Sequence, residues 1–458
     1  PASNHASIVK MSRLLTVQAT AAATRITVVV IAILSKIFVD DYDSSAETIL
    51  LGSSKALIPQ NILYKIFSVF IRWDAFYFLH IAESGYIYEQ ETAFFPMLPM
   101  LARFAAETVL SPAKHLIGEQ YTIVLAGILI SNISFILAAG VLYKLTLNTF
   151  RGNETLAYLS AIAFSLSPAS MFISSFYAES LFALLTFTGM LCITRRQYIR
   201  ASVVWGIASA TRANAIMYAG YIIYELVFRN FIQGRSAKVD LTLFNAIASL
   251  ILAAGCTMVV FLGFITFQVY GYHQFCHQLQ RPWCEDSIPL LYPFVQKFYW
   301  GNGFLAYFEV KQIPNFLLAC PTIFISAYGI WSYILYDKSR FLTIGIRSDY
   351  GQENVAAQAD KARQLPSNTS FYSGNILPHV YLWLILLFTS ITSMHVQIIT
   401  RFFSSLPIIY WFVAHTWLQA AQPSASKNQR IIAKSIMYYQ VLYGLVGIVL
   451  FASFFPPA

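Results

Sequence analysis

The sequence predicts an all-α polytopic membrane protein with about eleven transmembrane helices. Of its 458 residues, 57% are hydrophobic and the mean hydropathy is +0.59, which is far more apolar material than a soluble domain needs to fill its core. Charged residues make up only 11% of the chain, and its 30 Lys and Arg residues stand in small groups between apolar runs. This spacing is typical of membrane topology, whereas a nucleic-acid-binding protein masses its positive charge in one patch.

The spans follow from counting about 20 apolar residues for each crossing of the bilayer. They fall near 15–38, 120–147, 155–172, 177–194, 201–214, 215–230, 241–270, 314–337, 376–397, 400–420 and 433–455. Arg25 lies inside the first run, so either that helix begins later or Arg25 faces the protein interior. Residues 201–230 are too long for one helix, and basic residues flank both ends. We therefore expect the chain to turn back at Thr211–Asn214 as a hairpin of two short helices.

Basic residues also predict the orientation of the chain. Most of the 30 Lys and Arg residues fall on one side of the predicted spans, which is the cytoplasmic side by the positive-inside rule. The N-terminus and the polar loop 338–375 then lie in the cytoplasm, and the long loops 39–119 and 271–313 face the opposite side. We find no separate soluble domain in the sequence, so residues 1–458 are predicted to form a single membrane domain.

Residues 72–103 are the least ordinary part of the sequence because they place carboxylates among aromatic rings. The apolar spacing predicts a short amphipathic helix over 73–83 that Gly85 ends, and Pro96 and Pro99 begin a second short helix. A carboxylate against apolar surface must be solvated, paired or functional, since an isolated ionised one in a dry site costs too much. We interpret Asp74 as functional.

Other polar residues in or beside the predicted spans concentrate toward the non-cytoplasmic side. They are Glu179, Arg212, Asn214, Gln312, Asn315, His395, Gln397 and Arg401. A charged side chain at bilayer depth costs roughly 2.5 to 3.5 kcal/mol, so such residues usually face a cavity. One shared cavity would satisfy them all.

Each of these residues also has a purely structural explanation. Asp74 could serve only as the N-cap of the short helix, and Glu179 with Arg212 could form an ion pair that joins two helices. His395 could be a hydrogen-bonded buried histidine. Two further carboxylates could lie in a solvated turn, namely Glu89 and Glu91. We interpret one aromatic set as an interfacial belt rather than a sugar platform, namely Trp300, Phe304, Tyr307 and Phe308.

The sequence contains no Walker loop, dinucleotide fingerprint, serine nucleophile elbow or metal box. The simplest chemistry left is a lone carboxylate as general base, together with an arginine for a phosphate. That arrangement suits transfer of a group from a lipid phosphate donor to a hydroxyl. Asp74 would accept the hydroxyl proton and Arg401 would steady the leaving phosphate.

The five cysteines show no pair at metal-ligand spacing. Cys276 and Cys284 lie in one polar loop. They either form a disulfide, if that loop faces an oxidising lumen, or remain two thiols.

Several motifs are distributed over nearly the whole chain. They are Trp73-Asp74-Ala-x-x-Phe78-Leu79-x-Ile81-Ala82-Glu83-x-Gly85-Tyr86-x-Tyr88-Glu89, Ser167-Pro168-Ala169, Glu179-Ser-Leu-Phe, Arg212-x-Asn214, Lys311-Gln312-x-Pro314-Asn315 and Met394-His395-Val396-Gln397-x-x-Thr400-Arg401-Phe402. Together they resemble the glycosylphosphatidylinositol (GPI) mannosyltransferase II family. The combination is specific.

The resemblance implies a GT-C glycosyltransferase-like bundle with interfacial luminal helices in the endoplasmic reticulum membrane. Such an enzyme transfers the second mannose, in α-1,6 linkage, from dolichyl phosphate mannose to the one-mannose GPI precursor, with inversion at the anomeric carbon. Asp74 would be the base near the acceptor hydroxyl, and His395, Gln397 and Arg401 would lie near the donor phosphate. Further residues expected to bind donor or acceptor are Trp73, Glu83, Glu89, Glu179, Arg212, Asn214, Gln312 and Asn315.

The resemblance implies no cofactor, and a small membrane accessory subunit accompanies such enzymes in some lineages. The sequence departs from the family at Tyr77, where many relatives carry His, and the family core shows no acidic pair of the Asp-x-Asp kind. We therefore expect activity that does not depend on a metal. The alternative function is a polytopic lipid or solute transporter or scramblase, in which Asp74, Glu179 and Arg212 would line a substrate path. A third alternative, a non-catalytic scaffold, would leave Asp74 without a role.

Overall fold

The computed structural model describes residues 2–42, 50, 58–229, 243–277, 281–347 and 370–456, and within these ranges it contains helices and no strand. The α-helices are α1 (Ala2–Phe38), α2 (Gln60–Phe67), α3 (Ala75–Ser84), α4 (Met97–Glu107), α5 (Ala113–Ile117), α6 (Glu119–Thr149), α7 (Glu154–Ser165), α8 (Ser170–Ser174), α9 (Glu179–Thr194), α10 (Tyr198–Ser209), α11 (Ala219–Ile223), α12 (Leu243–Cys276), α13 (Leu291–Phe298), α14 (Ile313–Tyr336), α15 (Lys338–Leu342), α16 (Leu377–Thr392), α17 (Ile399–Phe402), α18 (Pro407–Ala420), α19 (Lys427–Tyr438) and α20 (Gly444–Ala452).

Six helices in the described part of the chain are long and apolar enough to cross a bilayer. They are Met11–Phe38, Glu119–Thr149, Phe244–Cys276, Val310–Tyr336, Gly374–Thr392 and Lys427–Ala452. A bent pair, Val396–Ser405 and Pro407–Ala420, meets at 85° and would make a seventh span. The all-α membrane fold is thus confirmed. The number eleven stays a prediction, because several expected spans correspond to helices of 16 residues or fewer, such as α9 and α10.

The centre of the bundle is formed by α6, which packs along α9, α7, α1 and α4. Aromatic rings fill the space between these helices and α18. The ring of Phe164 in α7 lies 4.4 Å from Phe135, 5.4 Å from Phe187 and 5.2 Å from Tyr410, measured between centroids. Edge-to-face and offset contacts of this kind stabilise the packing beyond the area they bury.

Helices α10 and α12 approach each other closely because glycines face each other at their contact. A Cβ atom added to Gly263 would clash with the carbonyl oxygen of Gly206, and one added to Gly206 would lie 2.6 Å from the carbonyl oxygen of Val259. Small residues allow membrane helices to pack backbone against backbone. This contact fixes the end of α10, where the chain turns toward Arg212.

The two uncertain placements are now clear. Arg25 faces the interior, with 3% of its surface exposed, and donates to the backbone oxygens of Ser170 at 3.0 Å and Ser165 at 3.3 Å. Its guanidinium also lies 4.2 Å from the Phe135 ring. The run 201–230 is interrupted as expected, since α10 ends at Ser209 and a 3₁₀ segment begins at Ala213.

The loops carry short helices and one covalent link. In loop 39–119, α3 ends at Gly85 (φ 76°) and α4 follows Pro96, as the spacing predicted. In loop 271–313, Cys276 and Cys284 form a disulfide with their Cα atoms 5.7 Å apart, which settles the alternative left open by the sequence. Most of loop 338–375 lies outside the described residues.

Candidate active site

The chain enters α3 through a sharp turn at Arg72-Trp73-Asp74. Trp73 has φ 55°, in the left-handed region that side chains other than glycine rarely adopt. Such a conformation costs of order 1 to 3 kcal/mol and persists only where the surroundings fix it. The turn presents the carboxylate of Asp74 away from α3, and the Asp74 side chain makes no capping hydrogen bond to that helix. The explanation of Asp74 as a mere N-cap is therefore wrong.

Buried contacts on both sides of Trp73 hold this turn. The Tyr177 hydroxyl donates to the backbone oxygen of Arg72 at 2.8 Å and accepts from the backbone N–H of Asp74 at 3.1 Å. The Arg72 guanidinium is fully buried, donating to Asp41 at 2.8 Å and to the backbone oxygen of Ala452 at 2.9 Å. A hydrogen-bonded buried charge of this kind resists movement, since each broken contact leaves a desolvated group.

The end of the last helix completes the support of the turn. The Phe454 ring stacks on the Trp73 ring with centroids 5.1 Å apart, and it lies 5.1 Å from the Arg72 guanidinium. Trp73, 37% exposed, still presents part of its ring beside Asp74. We call Arg72, Tyr177 and Phe454 the turn support.

Asp74 belongs to a chain of alternating charges that also contains Arg401, Glu179 and Arg212. Asp74 Oδ2 accepts from Arg401 Nη1 at 2.6 Å. Arg401 Nε lies 3.9 Å from Glu179 Oε1, and the same oxygen accepts from Arg212 Nη1 at 2.8 Å. Two carboxylates and two guanidiniums thus balance one another. We call these residues the charge network.

The charge network is sheltered from solvent to different degrees along its length. The Glu179 side chain is 4% exposed, whereas Asp74 and Arg401 are 22% and 18% exposed. Both guanidiniums lie over aromatic rings, Arg401 at 5.2 Å from Phe172 and Arg212 at 5.6 Å from Phe402. The Arg212 side chain is 20% exposed as well, so only Glu179 is shielded, and a substrate can reach the other three members of the charge network.

A second polar group surrounds the hydroxyl of Tyr307 and includes Gln397, which lies four residues before Arg401 in the sequence. That hydroxyl donates to Gln397 Oε1 at 2.6 Å and accepts from Asn315 Nδ2 at 2.8 Å. Asn315 also donates to Gln312 Oε1 at 2.7 Å. The His395 ring stacks on Tyr307 with centroids 4.5 Å apart. We call Gln312, Asn315, Gln397, His395 and Tyr307 the amide group.

The contacts of the amide group decide between the alternatives for His395 and correct the interpretation of Tyr307. His395 Nε2 lies 2.6 Å from the backbone oxygen of Trp300, so the ring is hydrogen bonded as its structural explanation supposed. Tyr307, interpreted as part of an interfacial belt, instead has its hydroxyl hydrogen bonded inside the amide group. Gln397 connects the amide group to Arg401 along the chain, because only three residues separate them.

The structure places Glu89 and Glu91 elsewhere. Glu89 is 7% exposed and accepts from Arg281 Nε at 2.9 Å, Trp283 Nε1 at 2.8 Å and the Tyr299 hydroxyl at 2.9 Å. Glu91 is 2% exposed, accepts from two backbone N–H groups at 3.0 Å and pairs with His80. The solvated turn expected for these two carboxylates is therefore wrong, because both are buried and bonded.

Burial and hydrogen bonding act in opposite directions on the pKa of Glu89. Burial alone would raise that pKa, but the hydrogen bonds from Arg281, Trp283 and Tyr299 outweigh it and hold the pKa below its ordinary value of 4.5. For Glu83 burial dominates and raises the pKa above its ordinary value, against a hydrogen bond from Gln120 and the charge of His80. Glu83 lies in the last turn of α3, roughly 13 Å from Asp74 along the helix.

Sequence reasoning thus found the members of the charge network and missed what holds it. Arg72 directly precedes Trp73 and Asp74, and Tyr177 lies two residues before Glu179. Their closeness in sequence to Asp74 and Glu179 was the one signal that could have identified them. Asn214 lies half-buried two residues after Arg212, near the network in sequence. In the described ranges, no group of three or more His, Cys, Asp or Glu side chains could hold a metal ion.

Comparison with known proteins gives a family match along almost the whole chain. The model of a family described as Mannosyltransferase (PIG-V) matches residues 16–458. The chain is 33% identical over 383 residues to GPI alpha-1,6-mannosyltransferase 2 of Cricetulus griseus, covering 77% of this chain and 74% of that protein. It is 33% identical over 380 residues to the Homo sapiens protein of the same name, covering 77% and 73%. GPI mannosyltransferase 2 of Schizosaccharomyces pombe is 29% identical over 424 residues, covering 91% and 79%.

Among solved structures, the chain is similar to the archaeal oligosaccharyltransferase AglB from Archaeoglobus fulgidus, with a TM-score of 0.45 and 12% identity. The similarity covers 94% of this chain and 56% of that one, so the chain spans little more than half of AglB. ArnT from Cupriavidus metallidurans gives a TM-score of 0.40 at 13% identity, covering 86% and 72%.

Proposed function

The chain belongs to the PIG-V mannosyltransferase family, and from this membership we propose that its charge network carries out the second mannose transfer of GPI-anchor synthesis. The chain is a multi-pass membrane glycosyltransferase with the GPI mannosyltransferase II function of its relatives. The family implies a lipid-linked sugar donor and a GPI acceptor in the endoplasmic reticulum membrane. The transporter or scramblase alternative is not supported.

The donor in our proposal is dolichyl phosphate mannose, and the reaction inverts the anomeric carbon. A hydroxyl of the one-mannose GPI precursor attacks that carbon from the face opposite the phosphate. The bond between the anomeric carbon and the phosphate oxygen breaks, and both its electrons leave with dolichyl phosphate. Asp74 accepts the proton of the attacking hydroxyl, which completes an α-1,6 linkage.

The ion pair between Asp74 and Arg401 is the observation that carries this assignment. The 2.6 Å contact between Asp74 Oδ2 and Arg401 Nη1 leaves no room for a reacting carbon between them, so the two side chains must separate when donor and acceptor bind. A donor phosphate is a stronger partner for a guanidinium fork than one carboxylate oxygen. We infer that the donor draws Arg401 away from Asp74, so that the base becomes free only when the donor is bound.

The remaining residues of the site act by binding. Glu179, held by Arg212, keeps Arg401 oriented while its partner changes, since Glu179 Oε1 lies within 4 Å of both guanidiniums. Asn214 lies two residues after Arg212, and we assign it to substrate binding as well. The amide group offers hydrogen-bond donors and acceptors for sugar hydroxyls beside the phosphate, and the exposed part of Trp73 offers a ring face to the acceptor.

Two carboxylates expected at the site are left out of this assignment. Glu89 has its oxygens occupied by Arg281, Trp283 and Tyr299, which joins the loops 39–119 and 271–313. Glu83 lies at the far end of α3.

We also propose that the site faces the lumen and that the N-terminus lies in the cytoplasm. The distribution of basic residues supports this orientation. A small accessory subunit also stays a proposal.

The donor assignment is tested with purified protein and a synthetic one-mannose GPI precursor. We expect mannose transfer from dolichyl phosphate mannose and none from GDP-mannose, because the nucleotide sugar lacks the lipid that delivers a donor to a membrane site. Transfer from GDP-mannose at a comparable rate would contradict the proposal. In the same assay a chelator should leave the rate unchanged, and loss of activity that divalent ions restore would refute metal independence.

A further inference from the structure

A polar pocket lies at the opposite end of α9 from the charge network. Glu179 begins α9 and Thr194 ends it, which separates the two sites by roughly 22 Å along the helix axis. The pocket encloses about 630 Å³ of empty space, including its open mouth. It is formed where α6 and α9 end and α16 begins, and its polar lining includes Asn148, Arg196, Glu225, Arg229, Asn375 and His379.

One wall of the pocket is a fixed ion pair. Arg229 Nη1 donates to both oxygens of Glu225, at 2.8 and 2.7 Å, and Arg229 Nη2 donates to Asn375 Oδ1 at 2.9 Å. Glu225 lies in a π-helical segment, Tyr224–Phe228, which follows α11. Such single-turn widenings occur frequently at functional sites. The Glu225 charge is therefore neutralised by Arg229, and it does not oppose an anion elsewhere in the pocket.

The lining contains a second guanidinium. Arg196 follows the end of α9 with φ 56°, is exposed, and forms no ion pair within the described part of the chain. His379 also lines the pocket; it is 6% exposed, and its Nδ1 lies 3.0 Å from the Tyr221 hydroxyl. The helix α16 begins at this pocket, and the start of a helix adds partial positive charge. Among the described residues, the lining thus combines one unneutralised positive charge with hydrogen-bonded polar groups.

The position of the pocket points to a lipid. Two helices long enough to cross the bilayer, Glu119–Thr149 and Gly374–Thr392, end or begin at it, so it lies at the depth of the phospholipid headgroups. Basic pockets between transmembrane helices bind anionic headgroups. A guanidinium matches the geometry of a phosphate and forms charge-assisted hydrogen bonds with it.

We propose that this pocket binds the phosphate of an anionic phospholipid headgroup through Arg196, at a site separate from the charge network. A structural ion pair alone would account for Arg229 and Glu225. It accounts neither for the empty space nor for the second arginine in the lining. The proposal does not depend on the assigned reaction, and its test measures binding and not transfer.

The test uses the full-length protein in detergent and native mass spectrometry with dioctanoyl phosphatidic acid. The variant is Arg196→Gln, and its matched control is Arg195→Gln, since Arg195 is also exposed but does not line the pocket. We expect saturable binding to the unchanged protein and to Arg195→Gln, and about tenfold weaker binding to Arg196→Gln, as the loss of one charge-assisted contact predicts. Dioctanoyl phosphatidylcholine should bind at least tenfold more weakly than phosphatidic acid.

Equal affinity of the two variants for phosphatidic acid would overturn the proposal, as would equal binding of phosphatidic acid and phosphatidylcholine. Inorganic phosphate is the last arm of the experiment. If it displaces phosphatidic acid at similar concentrations, the pocket is a site for free phosphate and the lipid assignment is wrong. If millimolar phosphate leaves the lipid bound, the headgroup assignment is supported.

Discussion

At the scale of single residues, the site is defined by carboxylates and guanidiniums that depend on one another. Glu179 is the clearest case, because its Oε1 lies 2.8 Å from Arg212 and 3.9 Å from Arg401 while its side chain is 4% exposed. Removal of one member of a buried pair leaves an uncompensated charge, which typically costs about 3 to 5 kcal/mol. The charge network should therefore respond to mutation as a unit.

We predict that Glu179→Gln lowers the free energy of unfolding by roughly 3 kcal/mol, because both arginines lose their shared carboxylate. Arg212→Gln should also destabilise the protein, since it leaves Glu179 with only the more distant Arg401. The double variant Glu179→Gln/Arg212→Gln should lose less than the sum of the single variants, since each removes the charge that the other leaves unpaired. Denaturation in detergent measures all three. Additive losses would show that the two side chains do not interact.

The sequence located these residues but not their contacts. Ionisable groups among apolar runs are costly, so Asp74, Glu179, Arg212 and Arg401 stand out without any structure. Their meeting could not be derived, because Asp74 and Arg401 are 327 positions apart and only the packing of the helices between them brings them together. Arg72 escaped notice because its partners, Asp41 and Ala452, lie 31 and 380 positions away.

At the scale of elements, the turn before α3 is the part on which the site depends. Its left-handed residue, Trp73, is kept in place by the turn support, and Phe454 comes from the opposite end of the chain. A displacement of a reacting group by about 1 Å can reduce a rate by 100-fold. Phe454 is therefore a positioning residue for Asp74.

We predict that Phe454→Leu lowers kcat by about tenfold, because leucine fills the space but cannot stack on Trp73. The matched control is Phe455→Leu, since the Phe455 ring packs on Tyr42 at 5.2 Å between centroids, whereas the contacts with Trp73 and Arg72 come from Phe454. Phe454→Tyr, which keeps the ring, should restore kcat. Steady-state kinetics and thermal unfolding are measured for all three variants.

An equal change of kcat in Phe454→Leu and Phe455→Leu would show that the ring affects stability alone. Failure of the tyrosine variant to recover would lead to the same conclusion. A specific role requires that kcat falls further for Phe454→Leu than for its control at a similar melting temperature.

The link between the two long loops predicts a dependence on pH. The pKa of Glu89 is held below its ordinary value of 4.5, so the ionised form is favoured in the folded protein. Its stabilisation is complete above that value and is lost as the pH falls through the lowered pKa. The difference in Tm between the unchanged protein and Glu89→Gln should therefore be largest near neutral pH and shrink below pH 4.5. Tm series in detergent from pH 7 to pH 3 measure this, with the exposed Glu285→Gln as control. A difference that stays constant over the series would contradict it.

Element types were predictable where a local rule decides them. Gly85 ends α3 and Pro96 begins α4, because a left-handed glycine and a proline act on their own neighbours. The bend of 85° also has a local cause, because Pro407 begins α18 and keeps Leu406 before it in an extended conformation. The π-helical segment at Tyr224–Phe228 had no such signal in the sequence.

At the scale of the whole molecule, we propose chemistry at one end of α9 and binding of an anionic lipid at the other. Apolar composition was sufficient to predict a polytopic helical protein, since so much apolar surface has no other place than a bilayer. It was not sufficient to count the spans, because short helices such as α9 and α10 are apolar and yet packed against protein on several sides. The orientation of the bundle stays a prediction from its basic residues.

The central claim is that Asp74 is the general base of a mannosyltransferase. It is tested most directly by mannose transfer from dolichyl phosphate mannose to a one-mannose GPI precursor, measured for the unchanged protein, Asp74→Asn and the exposed control Asp286→Asn at matched melting temperature. Removal of a general base typically lowers the rate by about 100- to 10,000-fold. We expect a loss of that size in Asp74→Asn alone. Equal rates for the three proteins would contradict the assignment and move the base to another carboxylate.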